Sequence, residues 1–338
     1  MSNKIKVLIA DDSRFFSDQL KALLLSDPDI DVVGVAYDGR EAVSMVEELQ
    51  PDIITMDIEM PSMSGFQAIE AIMGVMAKPI LVISDNTNAK SSFEALDKGA
   101  LEVMSKADVD IENPEILISK IKFLSKIRVV THIRSRAKAR ATYRKIPCDG
   151  ESGIFIASST GGPKILFEII NSLGPEFPLP VVIAQHMSDG FIDGMVEWID
   201  SETEIKVVTA KDGDILEAGT VYILPTETHT VVAPGMRLKS KERSANDIFH
   251  PSCDELLVSA GKVLGSNAIG VILTGMGSDG AKGMETIKNA GGVTIAQDEE
   301  TCIVFSMPKS AIDKGCVDFV VPYNEVVAKI NEVIKSKL

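Results

Sequence analysis

The chain has 338 residues, 45% of them apolar and 25% charged, with a formal net charge of −15. Its length suits about two globular domains, its acidity argues against general nucleic-acid binding, and no apolar run approaches the ~20 residues of a membrane span. No apolar signal region precedes the first strand, so secretion is not expected. The four cysteines, Cys148, Cys253, Cys302 and Cys316, lack Cys-x-x-Cys spacing. That suits a reduced, cytoplasmic chain without structural zinc.

The first apolar run, Val7-Leu8-Ile9-Ala10, ends in Asp11 and Asp12. The next, Ile53-Ile54-Thr55-Met56, ends in Asp57, with Met60, Pro61 and Gly65 close behind. Ser84 closes Ile80-Leu81-Val82-Ile83, and Lys106 closes Leu101-Glu102-Val103-Met104-Ser105. In a parallel α/β sheet, groups at the carboxyl ends of strands gather at one edge. Three carboxylates, a hydroxyl and an ammonium would meet there. Magnesium takes a few carboxylate oxygens and keeps several waters, so Asp11, Asp12 and Asp57 are its expected ligands. Asp57 is the expected phosphoryl acceptor, forming an acyl phosphate, with Ser84 and Lys106 contacting the phosphoryl oxygens. From about Lys4 to Leu124 the sequence resembles the receiver domain of two-component response regulators. It departs in carrying Lys106-Ala107 where receivers usually have Lys-Pro.

From Lys120 to Lys145 there are ten lysines and arginines and no acid, before Pro147, Asp149 and Gly150 break the run. This reads as a last receiver helix followed by a basic linker. The strip is either a solvated tether or a docking surface for an acidic face, in which case Arg134, Arg136, Lys138 and Arg140 carry it.

The second half begins α/β alternation again. Gly153-Ile154-Phe155-Ile156-Ala157 reads as a buried strand, followed by Ser158-Ser159-Thr160-Gly161-Gly162-Pro163 and a helix with Ile165, Leu166, Ile169 and Ile170 on its apolar face. A strand from Leu179 to Gln185 ends in His186, and one from Ala268 to Thr274 leads to Asp279. Lys206–Val208, Thr220–Leu224 and His229–Val232 read as shorter strands. The whole suggests a mixed α/β domain around a parallel core sheet.

A serine, a histidine and an aspartate each follow a core strand, in the chain order Ser159, His186, Asp279. That is the logic of a Ser-His-Asp nucleophile. His186 would take the serine proton, and Asp279 would fix its tautomer. Of the four histidines, His132 falls in the basic strip and His229 and His250 in polar connections. Only His186 ends a long apolar strand. No Gly-x-Ser-x-Gly elbow is present. A rival motif overlaps the site: Gly275-Met276-Gly277-Ser278-Asp279-Gly280 is a literal Gly-x-Gly-x-x-Gly, and Asp298 lies about where the ribose-binding acid of a dinucleotide site falls. A nucleotide-dependent oxidoreductase and a response regulator with a binding-only second domain therefore remain alternatives.

Ala157-Ser158-Ser159-Thr160-Gly161-Gly162, Gln185-His186-Met187, Leu273 to Gly280, Gln297-Asp298-Glu299 and Val304-Phe305-Ser306-Met307-Pro308 resemble the catalytic domain of the chemotaxis protein-glutamate methylesterases, the CheB family. The resemblance implies that Ser159, His186 and Asp279 are the catalytic triad, and that Thr160 and the backbone amide of Met276 support the oxyanion or orient the histidine. It implies hydrolysis of glutamyl methyl esters on chemoreceptors, deamidation of receptor glutamines as a second activity, and a chemotaxis histidine kinase as phosphodonor. No cofactor is expected for the esterase beyond the receiver's Mg2+; neither nucleic acid nor membrane insertion is expected, and the chain should be a cytoplasmic monomer. Three stretches depart from the family pattern: Ser188-Asp189-Gly190-Phe191, Pro225-Thr226-Glu227-Thr228-His229 and His250-Pro251-Ser252-Cys253-Asp254. The expected architecture is a doubly wound, five-stranded parallel receiver domain over residues 1–124, a basic linker over 125–150, and a mixed α/β, Rossmann-like methylesterase domain over 151–338.

Overall fold

The computed structural model describes residues 4–85, 94–127, 129, 151–244 and 250–337. The chain divides into two compact units between Arg136 and Ala137. The basic strip beyond Lys126, with Arg134, Arg136, Lys138, Arg140 and His132, lies outside the described residues.

In the first unit, β1 (Ile5–Ala10), β2 (Ile30–Ala36), β3 (Ile53–Met56), β4 (Ile80–Ser84) and β5 (Glu102–Ser105) form one sheet in the order β2-β1-β3-β4-β5. Every neighbouring pair is parallel. Helices Arg14–Leu24, Gly39–Leu49, Gly65–Val75 and Glu115–Leu124 cross between or follow the strands. Local chemistry starts three of them. Ser13 accepts from the Phe16 amide, Asp38 accepts from those of Arg40 and Glu41, and Ser64 with Gln67 makes a reciprocal capping box. Gly65 is required by space. A Cβ there would lie 2.1 Å from the Asp57 carbonyl oxygen, so only glycine lets this helix start against the turn that carries Asp57. The strand order reverses direction between β1 and β3, the point where doubly wound sheets place their ligands. Asp11 and Asp57 follow those two strands.

The second unit holds a seven-stranded sheet in the order β14-β13-β12-β6-β7-β9-β8. Its strands are β6 (Gly153–Ser158), β7 (Val181–Gln185), β8 (Lys206–Thr209), β9 (Thr220–Ile223), β12 (Ala268–Ile272), β13 (Val293–Gln297) and β14 (Phe319–Val321), and all adjacent pairs run parallel. The segment at His229 does not join this sheet. It forms β10 (His229–Ala233), paired antiparallel with β11 (Arg237–Lys241) in a separate ribbon. That ribbon makes the unit mixed. Sequence reading passes over β11 because Arg237, Lys239 and Lys241 face solvent and only Leu238 is buried. It also passes over β14, three residues long with two exposed. The central strands β12, β6 and β7 are buried throughout, as strands covered on both faces must be.

Phe155 is fully buried at the centre of β6. Phe155→Ala is expected to destabilise the protein by about 3–5 kcal/mol through lost burial and an unfilled cavity, read as a fall in the urea midpoint.

Candidate active site

Ser159, His186 and Asp279 follow β6, β7 and β12, three strands that are neighbours in the sheet. Backbone bonds hold the turns together. The Ser159 amide donates to the Thr274 carbonyl at 3.0 Å, and the His186 amide donates to the Ser158 carbonyl at 3.0 Å. Gln185, the last residue of β7 and fully buried, adds a side-chain tie. Its Nε2 donates to the Ser159 carbonyl at 2.9 Å and to the His186 carbonyl at 2.8 Å. Gln297, at the end of β13, is likewise buried. Its Oε1 accepts from the Thr274 amide at 2.8 Å, and its Nε2 donates to the Thr301 carbonyl at 2.9 Å. Thr274 in turn donates its hydroxyl to the Thr160 carbonyl at 3.0 Å and accepts the Val304 amide at 2.9 Å. None of these three side chains was assigned a role from sequence. The available signal was the shared ending of two apolar strands, Ile183-Ala184-Gln185 and Ile295-Ala296-Gln297, since a buried amide at a strand end must find partners.

His186 Nε2 lies 2.8 Å from Asp279 Oδ2. A carboxylate only accepts, so Nε2 carries the proton and Nδ1 is the ring's acceptor. Asp279 sits at the N-terminus of helix Cys253–Leu264. Its Oδ2 accepts the Cys253 amide at 2.7 Å, and its Oδ1 accepts the Asp254 amide at 2.9 Å and its neighbour Gly280's at 3.1 Å. Burial alone would raise the Asp279 pKa. The His186 bond and these amides outweigh it and hold the carboxyl below the usual range. Behind this pair, the Ser252 amide donates to His229 Nδ1 at 3.0 Å, so the buried His229 supports the turn that starts the helix.

Asp254 completes an exchange. Its Oδ1 accepts the amides of Gly280 at 3.0 Å and Gly283 at 2.8 Å, at the start of helix Ala281–Asn289. This answers the dinucleotide reading. In that fingerprint the amides opening the helix hold a pyrophosphate, whereas here the protein's own carboxylate occupies them. Gly275 serves packing, since a Cβ on it would lie 2.7 Å from Ser159 Cβ and 2.2 Å from Met307 Sδ. Asp298 accepts the Thr301 amide at 3.0 Å and closes a local turn. Met276, whose amide the resemblance implies as an oxyanion or histidine-orienting group, directly follows Gly275 and so stands one residue from this contact with Ser159. Thr160 is buried beside it.

The three departures from the family pattern converge. Arg243 makes a two-pronged ion pair with Asp189, both contacts at 3.0 Å, and also donates to the Thr226 carbonyl at 3.0 Å. His250 Nδ1 lies 3.5 Å from Asp189. Burial works against the Asp189 charge, but Arg243 holds its pKa down.

In the first unit the structure gathers the predicted set. Lys106 Nζ lies 2.7 Å from both Asp11 Oδ2 and Asp57 Oδ2, and it stands 4.7 Å over the Phe16 ring. Carboxylate oxygens of Asp11, Asp12 and Asp57 all lie within 4.8 Å of one another. Burial raises the Asp11 pKa despite Lys106. Burial also pulls Lys106 down, but its bonds to Asp11 and Asp57 hold it above its ordinary value. Ser84 is buried at the end of β4, next to β5 and Lys106. Three carboxylates against one lysine leave excess negative charge on oxygen donors, and that fits a hard divalent cation.

Residues 154–330 match the family model for CheB methylesterase, and residues 7–117 match that for the response regulator receiver domain. The chain belongs to the CheB methylesterase family. A protein-glutamate methylesterase/protein-glutamine glutaminase 3 of Paramagnetospirillum magneticum is 41% identical, over 98% of this chain and 96% of the relative. One from Thermotoga maritima is 38% identical over 98% of each. The crystal structure of the Thermotoga maritima CheB methylesterase catalytic domain is 39% identical, with a TM-score of 0.52, covering 54% of this chain and 99% of that one. The CheB assignment makes the chain a receiver-bearing hydrolase and leaves the oxidoreductase and the binding-only alternatives without support.

Gln185→Leu removes the donor shared by two buried carbonyls. It is expected to cost about 1–3 kcal/mol and to lower the rate of ester hydrolysis more than it changes KM, measured by steady-state kinetics on protein shown folded by circular dichroism. Acid stability offers a second check. A carboxyl held below its ordinary pKa, 3.8 for aspartate, contributes stability that is complete above that value and is lost as pH falls through the lowered one. Asp279→Asn should therefore flatten the decline in Tm below about pH 4 relative to the wild type.

Proposed function

We propose that the chain hydrolyses methyl esters of glutamyl side chains on chemoreceptors, releasing methanol, and that phosphorylation of Asp57 sets the rate. The observation that carries this reading is the His186–Asp279 pair at 2.8 Å, tied through Gln185 to the turn bearing Ser159. Ser159 Oγ attacks the ester carbonyl while His186 Nδ1 takes its proton. The amide of Met276, with Thr160 beside the nucleophile, supports the oxyanion. The tetrahedral intermediate expels methanol, which receives the proton from His186, and water then releases the acyl group by the same route. Asp279 remains ionised and stabilises the imidazolium formed in each half. The same steps release ammonia from a glutamine side chain, in keeping with the double name of the relatives.

Residues 1–124 form the receiver, 125–150 a linker and 151–338 the catalytic domain. In the receiver, Asp11, Asp12 and Asp57 would hold Mg2+, which lowers the negative charge met by an incoming phosphoryl group. Asp57 accepts that group from a histidine kinase, and Ser84 and Lys106 contact its oxygens. The protein acts as a cytoplasmic monomer on the cytoplasmic helices of its receptors.

The test is methanol release from methyl-labelled chemoreceptor membranes, with Mg2+ and a small phosphodonor. Ser159→Ala should lower release by at least ~10³-fold. Asp57→Asn should keep the basal rate and lose stimulation by phosphodonor. A Ser159→Ala protein as active as wild type would refute the nucleophile, and stimulation that persists in Asp57→Asn would refute the switch.

A further inference from the structure

Cys253 opens helix Cys253–Leu264 and is fully buried, and the hydrolytic steps make no use of its thiol. Its Sγ lies 3.4 Å from His186 Nε2 and 3.5 Å from the Ala184 carbonyl. That ring nitrogen is the one facing Asp279 Oδ2 at 2.8 Å. Imidazole nitrogen, thiol sulfur and carboxylate oxygen therefore converge, with all three donor atoms within 4.8 Å of one another. We propose that His186, Cys253 and Asp279 form an inhibitory site for a zinc-class transition metal, which enters between the histidine and the aspartate and switches the esterase off.

The donor chemistry separates this site from the receiver's. Three carboxylates suit magnesium, whereas a nitrogen, a sulfur and a single oxygen suit zinc or cobalt. The geometry is close to what zinc needs. Bonds of ~2.0–2.3 Å in a tetrahedral arrangement put neighbouring ligands ~3.3–3.6 Å apart. The His186–Cys253 spacing already meets this, and the His186–Asp279 pair must open by about 0.5 Å to do so. Charge also balances. A divalent ion with one thiolate and one carboxylate is neutral overall, which a buried site tolerates far better than a lone charge. Three protein ligands leave a fourth position for water.

Inhibition follows from the protons. The ion takes the Nε2 lone pair, and the proton that Nε2 held moves to Nδ1. Cys253 releases its thiol proton to water as the metal–sulfur bond forms. With Nδ1 protonated, His186 has no acceptor for the Ser159 hydroxyl, and Asp279 is held by the metal. Burial pushes the Cys253 thiol pKa well up, so without metal the sulfur stays protonated and inert.

The inhibition rests on the esterase reading above, but the site does not, and the test separates them. The full-length protein, with excess Mg2+ to fill the oxygen site, is titrated with Co2+ and followed for a near-ultraviolet thiolate-to-cobalt charge-transfer band. Zn2+ inhibition of methanol release is measured in parallel. Wild type should show the band, and Zn2+ should displace it. Cys253→Ala and the closer isostere Cys253→Ser should both lose the band and need at least tenfold more Zn2+ for half inhibition relative to their own metal-free rates. A wild-type protein without the band, or a band unchanged in both variants, overturns the site whether or not methanol is released. Unchanged zinc sensitivity in both variants overturns the inhibition.

Discussion

Asp279 is the carboxylate on which the catalytic unit is organised. Burying a charged carboxylate is costly unless hydrogen bonds replace its water, and Asp279 is 7% exposed. Its partners come from the first turn of helix Cys253–Leu264, where free amides and the positive end of the helix dipole favour an anion. Asp254, inside that same turn, does a matching service for helix Ala281–Asn289, accepting the amides of its N-cap Gly280 and of Gly283. Each helix thus has its N-terminus satisfied by the acid that belongs to the other. The two helices also pack closely, since a Cβ on Gly283 would lie 2.2 Å from Leu257 Cβ and one on Gly261 would lie 3.0 Å from the Ile287 nitrogen. The position of Asp279, and with it the orientation of His186, is fixed by two helix starts and the contact between them rather than by its own turn alone.

The two candidate sites solve opposite electrostatic problems with the same residue type. At Asp279, backbone amides and one imidazole satisfy a single carboxylate and hold it ionised. Asp254 sits close by, and there burial and the Asp279 charge raise the pKa. At Asp57 the local balance is different. Asp11 and Asp57 share Lys106 while Asp12 stands within 4.8 Å of both, burial raises the Asp11 pKa, and the charge excess is left for a cation to remove. The first arrangement suits a proton relay that must return to its starting state in each cycle. The second suits a site that changes state when a metal and a phosphoryl group arrive.

The strand-end residues were legible because a parallel sheet turns a local pattern into a spatial one. An apolar run followed by Asp57, Ser84, Ser159 or His186 carries its own placement, and the order of strands only decides which of them meet. The ties between them were not legible. Gln185 acts on a residue 26 positions earlier, Asp254 on amides 26 and 29 positions later, and nothing in their immediate neighbourhoods announces it. The Gly-x-Gly-x-x-Gly turn was ambiguous for the same reason. Its local sequence specifies a helix start with free amides, and only the fold shows that Asp254 has already filled them. In the β10–β11 ribbon the first strand was legible, and only β11 escaped, because alternation of charge with a single buried Leu238 is a weak strand signal. It still matters to the site, because β10 begins at His229, which supports the turn leading into Asp279's helix.

The energetics of control need not be large. A tenfold change in rate corresponds to about 1.4 kcal/mol of differential stabilisation between two states. Lys106 makes two charge-assisted contacts, and each such bond is worth about 1.5–3 kcal/mol. On the reading proposed above, a phosphoryl group on Asp57 would offer Lys106 new oxygen partners while altering the carboxylate it now holds. Redistributing one of the two contacts would then supply enough free energy for a tenfold switch, without unfolding any element of the sheet. The buried, close-packed strand ends around Lys106 keep that rearrangement local to the side chains that follow β1, β3, β4 and β5, and the charge excess of the three acids makes the ammonium the group with most to exchange.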